Sequence, residues 1–383
     1  VIPEEEVMAT QTAGDMSQYN QEAKVYKSPY ELWKEAEGLP TLRGLAVPNL
    51  FEVELTPWDS RGGSGVFINL EGTGGFNDTY VCEIPPGKSL NPIQHIYEET
   101  VFILSGRGAT TVWYEESKKQ TFEWQPYSYF AIPPNAHYQH HNGSGSEPAR
   151  YVAMTAAPRV IDTFKNLEFV FHNPFRFTDR FNDDSGYFTM SDKPDQGHGT
   201  WNTNFVSDVM AASNMANNTV SQSGRGAGAV GTGFAMVNST VRSHSSSWSV
   251  GAYKKSHRHG PGIHVLLLKG TGYSVMWEQG GEYNYIPWKA GTMFVPPEMW
   301  LHQHFNTGAD PCLFLAIGWG SEKPKQGGGA YVYTSMKEGG DQIEYEDEDP
   351  KFHAEFEAAV KDSGAECRMG GTHPFCNYPP VKS

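Results

Sequence analysis

Hydrophobic positions along this chain gather in short runs bounded by turn residues, not in the long stripes of helical bundles. Thr79–Ile84, Thr100–Leu104, Ala109–Tyr114 and Tyr151–Thr155 are rich in Val, Ile, Tyr, Phe and Thr. Ile263–Leu268, Tyr273–Trp277, Gly291–Val295 and Cys312–Gly318 read the same way. Gly, Pro or Asn clusters separate them at close intervals, which predicts many short strands folded into a sandwich or barrel. Helix is sparse. Pro350–Lys361 is one candidate, with Asp349 as N-cap, Pro350 at its first position and Gly364 beyond its end; Ser28–Ala36 is another, capped by Ser28 and opened by Pro29.

The pattern is written twice. Adding 164 to positions in the first half lands on equivalent residues in the second: Arg61-Gly62 on Arg225-Gly226, Gly87 on Gly251, Gly106 on Gly270, Trp113 on Trp277, Phe130 on Phe294 and Asn142 on Asn306. A constant offset of this length marks a duplicated domain. The expected organisation is an N-terminal arm (1–60), a first domain (61–160), an ordered linker (161–206), a second domain (207–330) and a tail with a short helix (331–383).

Composition sharpens this picture. With 41 Gly, 25 Pro and 13% aromatics in 383 residues, the chain suits a turn-rich all-β protein. A formal charge of −15, with no basic stripe to offset it, argues against nucleic acid or anionic membranes as partners. The acidic stretch Glu338 to Glu357 reads as solvated surface. No apolar run approaches the roughly 20 residues of a membrane span, and no signal peptide is visible, so a cytoplasmic protein is expected. Four cysteines make no disulfide framework: Cys82 and Cys312 read as small core residues, and Cys367 and Cys376 as free thiols near enough in sequence to pair. Asn77, Asn142, Asn217 and Asn238 head glycosylation sequons, a pattern common by chance.

Candidate chemistry lies in the histidines of the second half. His257-Arg258-His259 precedes one strand, and His302-Gln303-His304 follows Pro296-Pro297. Period-2 geometry puts His257 and His259 on one face, and His302 and His304 on one face of another strand. If both faces look into one barrel, three or four imidazoles converge, a donor set suited to Fe, Zn, Cu, Mn or Ni. His264 is a further candidate.

These residues resemble the cupin family. Gly251, five residues, His257-x-His259 and Gly270 follow its first motif, and Gly291, five residues, Pro297, His302 and Asn306 its second. The resemblance covers both copies and implies two tandem cupin barrels, jelly rolls of six or more strands with metal at the centre. The glutamate of the first motif falls on Ile263 or His264, depending on a strand register that Gly260-Pro261-Gly262 leaves open. The metal set is then His257, His259 and His302, with His264 as a fourth if it turns inward. His304 is a candidate ligand, a hydrogen-bonding support or an acid–base group. In the first copy the first histidine is Ile93 and the last is Tyr138, which leaves His95, Glu99 and His140 as a candidate second metal site or a domain that has lost its metal.

The strings Trp300-x-His302-x-His304-x-Asn306 and His257-Arg258-His259 most resemble bicupin gentisate-type ring-cleaving dioxygenases. That implies an Fe(II) oxygenase acting on a small phenolic, enolic or diketone substrate, with His304 as acid–base. The competing enzyme reading uses Mn, Ni or Zn as Lewis acid in an isomerase, lyase or hydrolase. A third is a non-catalytic storage or ligand-binding bicupin. Trp277, Trp288, Phe294, Trp300 and Phe305 read as core first and pocket wall second. The resemblance also implies a homodimer, with the first 50 residues as a candidate exchanged arm.

Overall fold

The computed structural model describes residues 27–190, 200–214, 220–221, 223–226, 228–236, 239–318 and 334–380. The repeat is visible strand by strand. Asp78–Ile84, Glu99–Ser105, Gly108–Trp113, Gln120–Trp124 and His137–Asn142 recur as Arg242–Trp248, His264–Lys269, Gly272–Trp277, Asn284–Trp288 and Leu301–Asn306. Each copy closes a large eight-stranded sheet over a small three-stranded one. The small sheets are built alike, with Gly108–Trp113 paired to both Gln120–Trp124 and His137–Asn142, and Gly272–Trp277 paired to both Asn284–Trp288 and Leu301–Asn306.

The central strands of the large sheets are apolar on both faces, because each face meets a different core. Val101 and Ile103 point into the first barrel, while Phe102 and Leu104 point out of it. In the second copy Val265 and Leu267 face the barrel, while Leu266 and Leu268 face outward. The outward faces of the two large sheets meet in one shared core that includes Val152, Met154, Leu313, Leu315 and Ile317. Contact there is close enough to require glycine: a Cβ on Gly72 would lie 2.3 Å from the Val295 carbonyl oxygen.

Segments outside the repeat tie the barrels together. Thr41–Leu42 adds to the first large sheet, and Ala46–Val47, four residues on, adds to the second. Phe205–Val206 returns to the first sheet, and Thr200–Asn202 joins the second. The arm therefore packs within its own chain from residue 27 onward; residues 1–26 lie outside the described residues. The two anticipated helices are present as Pro29–Glu37 and Pro350–Asp362, with the Ser28 and Asp349 side chains accepting from the Glu31 and Lys351 amides. Ala157–Phe164, Leu167–His172 and Val209–Asn214 are helices the pattern did not suggest, and the Gly291–Val295 run forms a strand only at Met293–Phe294. Among the sequons, Asn77 and Asn142 are buried, and Asn217 and Asn238 lie outside the described residues. No helix among the described residues is long and apolar enough to cross a membrane.

Candidate metal centre

In the second barrel the chain brings His257, His259 and His302 together. Backbone hydrogen bonds in both directions between His257 and His302 hold the two segments side by side. One ligand atom from each of the three rings falls within 4.8 Å of the others. Each Nδ1 lies against a backbone carbonyl: His257 on Lys255 at 3.2 Å, His259 on Gly260 at 2.8 Å and His302 on Trp300 at 3.1 Å. A carbonyl only accepts, so each Nδ1 carries the proton. Burial pushes all three rings well below the usual histidine pKa, His259 to about 4, and the Arg225 charge adds to the effect. Neutral rings protonated at Nδ1 present three Nε2 lone pairs to one point. That is the tautomer and orientation a metal requires, and the residues fit a divalent ion.

His304 stands beside this group and outside it, its ring centre 5.5 Å from that of His302 and 6.1 Å from that of His257. Its Nδ1 meets Ser274 Oγ at 2.8 Å, and Trp288 Nε1 donates to the same hydroxyl at 3.1 Å. The hydroxyl oxygen accepts from the indole N–H and can either donate to His304 or accept from it, so both His304 tautomers are supported.

His264 does not join the group. It opens the strand His264–Lys269 in line with Leu266 and Leu268, so it faces the core between the barrels, and Ile263 takes the barrel-facing side. Gly262, at φ +82°, sets that register, and a shift of one residue exchanges the two faces. Burial pushes His264 to about 4, where it is neutral.

In the first barrel His95, Glu99 and His140 are not among the described groups whose ligand atoms gather within 4.8 Å, and Tyr138 occupies the position equivalent to His302. The Tyr138 hydroxyl lies 3.2 Å from His95 Nε2 and donates to Glu99 Oε1 at 2.9 Å; Tyr80 donates to the other carboxylate oxygen at 3.1 Å. Burial pushes Glu99 up, but the facing His95, 3.6 Å away, and the Arg61 charge prevail and hold it below the usual range. His140 is held away on Thr110 Oγ1 at 2.7 Å, and Trp124 donates to that hydroxyl. A cavity of about 530 Å³ opens onto Arg61, Ile93, Glu99 and Tyr138.

Two cationic residues near the second-barrel site escaped the motif reading. Lys254 is buried, with Nζ donating to Ser246 Oγ at 2.5 Å and lying over the Trp248 and Phe314 rings. Burial, then the Arg225 charge, pushes it down to about 7. Its repeat mate is Leu90, and that apolar-to-lysine change was the available signal. Arg225, noticed only as a repeat marker, donates to Gln342. Arg258 turns away to Asp341, as its position between two ligands implied, and Trp277 packs against Tyr283 and the tail's Phe352 as core.

No protein-family model matches the chain. It is 34% identical over 91 residues to glucose-6-phosphate isomerase of Thermococcus gammatolerans, a stretch that is 23% of this chain and 44% of that protein. It is 40% identical over 52 residues to glucose-6-phosphate isomerase of Pyrococcus horikoshii, 14% of this chain and 28% of that one. The chain thus spans under half the length of the curated relatives it matches. Solved structures of Bacillus subtilis oxalate decarboxylase, one of them studied for its Mn(II) centres, superpose with a TM-score of 0.46 at 13% identity, over 72% of this chain and 76% of theirs. Neither name is that of an iron oxygenase, and the gentisate-type resemblance finds no support among them. The repeated strands and paired sheets make this a bicupin fold, with three histidines gathered in one barrel and a tyrosine at the equivalent of the third in the other.

Proposed function

We propose that this bicupin is a metal-dependent enzyme whose second barrel carries out a non-oxidative reaction, isomerisation or lyase cleavage, on a small, anionic, hydroxylated substrate. The observation that carries this reading is a cluster of three neutral imidazoles, with no carboxylate among the described residues of the group, beside the buried Lys254. His257, His259 and His302 would hold the ion, which supplies Lewis acidity toward substrate oxygens. With no carboxylate among the described residues of the cluster to offset it, positive charge accumulates, and Lys254 and Arg225 add to the pull on a carboxylate, phosphate or enolate. His304 would take a proton from a substrate carbon or hydroxyl and return it, while Ser274 switches between donor and acceptor as the ring changes state. Trp248, Phe294 and Phe314, in ring contact with His304, exclude water from that exchange. The local identity to proteins named glucose-6-phosphate isomerase supports a reaction that moves a proton without an oxidant.

The test supplies Mn(II), Ni(II), Zn(II) or Fe(II) to metal-free protein and screens phosphorylated sugars and hydroxy- or oxo-acids, with an oxygen electrode in the cell. Turnover without oxygen uptake, with solvent deuterium entering the product, is expected. His304→Gln should keep the metal and lose about 100-fold in turnover. Oxygen consumed in step with product would overturn the proposal and restore the iron-oxygenase reading.

A further inference from the structure

The C-terminal tail assembles a second ligand cluster, unrelated to the repeat. His353 and Glu357 lie one helical turn apart on Pro350–Asp362, so both project from the same face. The chain beyond the helix folds back to bring Cys367 and Cys376 to that face, and one ligand atom from each of the four residues lies within 4.8 Å of the others. Both cysteines are free thiols, and His353 and Cys367 are buried.

The spacing is that of ligands around an ion. The sulfurs are 3.6 Å apart, whereas two thiolates about 2.3 Å from a tetrahedral zinc would sit about 3.8 Å from each other. His353 Nε2 and Glu357 Oε1 face each other at 2.9 Å, a hydrogen bond that an ion would replace. The other side of the imidazole is braced as metal-bound histidines usually are: His353 Nδ1 meets the Tyr253 hydroxyl at 3.1 Å, and that hydroxyl donates to Glu348 at 2.5 Å. A proton on Nδ1 leaves Nε2 bare toward the two sulfurs and the carboxylate.

We infer that His353, Glu357, Cys367 and Cys376 form a structural site for a thiophilic divalent cation, Zn(II) by its softness and tetrahedral preference. Four protein ligands leave no open position, which distinguishes this site from the three-histidine centre. Its purpose is mechanical. Glu348 also accepts from His373 at 2.8 Å and from Gln303 at 2.8 Å, and Gln303 lies between His302 and His304. A bound ion would lock the tail across the outer face of the strand that carries both histidines.

The probe is Co(II), added to metal-free full-length protein kept reduced. A near-ultraviolet thiolate-to-cobalt charge-transfer band should appear, with one of two bound equivalents responsible for it. Cys376→Ser should lose that band and one equivalent, while His257→Ala should keep the band and lose the other. Zn(II) added to the cobalt protein should bleach the band. Reduced wild-type protein that takes up cobalt without a thiolate band would overturn the inference. So would a Cys367–Cys376 disulfide that survives mild reductant and leaves two titratable thiols per chain.

Discussion

The two barrels share their strands, their small sheet and even the hydroxyl that braces a histidine, yet they have kept different parts of one ligand motif. The first holds His95 and Glu99 but has Ile93 and Tyr138 where the second has His257 and His302. The second holds three histidines but has Ile263 where the first has Glu99. A buried carboxylate needs donors, and in the first barrel Tyr80 and Tyr138 provide them, so Glu99 is satisfied from within. Among the described residues the second barrel places no carboxylate and no tyrosine in the cluster, and its three Nδ1-protonated rings leave their Nε2 atoms free to take an ion. The Thr110–His140–Trp124 and Ser274–His304–Trp288 groupings show what the fold supplies in either case. They orient a histidine in both copies, and only in the second does it stand beside a ligand set.

The comparison can be broken most directly by exchanging the residue that closes one barrel and opens the other. His302→Tyr should cost more than the roughly 100-fold typical of losing a ligand's hydrogen-bond partner, and dialysed protein should show one fewer metal equivalent by elemental analysis. The converse pair, Ile93→His with Tyr138→His, should add one equivalent in the first barrel, held by residues 93, 95, 99 and 138. Failure of that gain would mean that the position of Tyr138 is not what excludes metal.

A smaller effect tests the tyrosine-bonded carboxylate of the first barrel. Glu99→Ala strips the shared acceptor from Tyr80 and Tyr138 and the charge facing His95, and should destabilise the protein by about 3 kcal/mol in denaturant unfolding. An effect below about 1 kcal/mol would show that the network matters little.

The smallest concerns the interface between the barrels. His264 is neutral when folded, with a pKa near 4 against 6.5 for the ordinary side chain. The unfolded chain therefore binds the extra proton between those values, and stability falls as the pH drops through that window. Between pH 7 and pH 5 the loss attributable to His264 is about 2 kcal/mol, and His264→Leu should remove it, flattening the pH dependence of unfolding.

Much of this was legible locally. The repeat and the principal strands follow from period-2 patterning and a constant offset that do not depend on distant contacts, whereas the convergence of His257, His259 and His302 was implied only by the resemblance to the cupin motifs. The outward turn of Arg258 followed from the same rule. Where the reading left a choice, at Ile263 or His264, the reason was a Gly-Pro-Gly turn, since one residue of slip there exchanges every face downstream. The apolar runs concealed the shared core, because a strand buried on both sides shows no alternation to reveal which partner each side meets.

By itself, then, the sequence determined that two similar β domains exist and that one is rich in histidines at family spacing. Only the tertiary structure decided that Tyr138 fills the first centre, that Lys254 lies buried beside the second, and that the tail gathers His353, Glu357, Cys367 and Cys376. The physical reason is range. Strand periodicity is a property of neighbouring residues, whereas a ligand sphere or a closed cavity depends on which remote segments the packed sheets and the returning tail bring within a few ångströms.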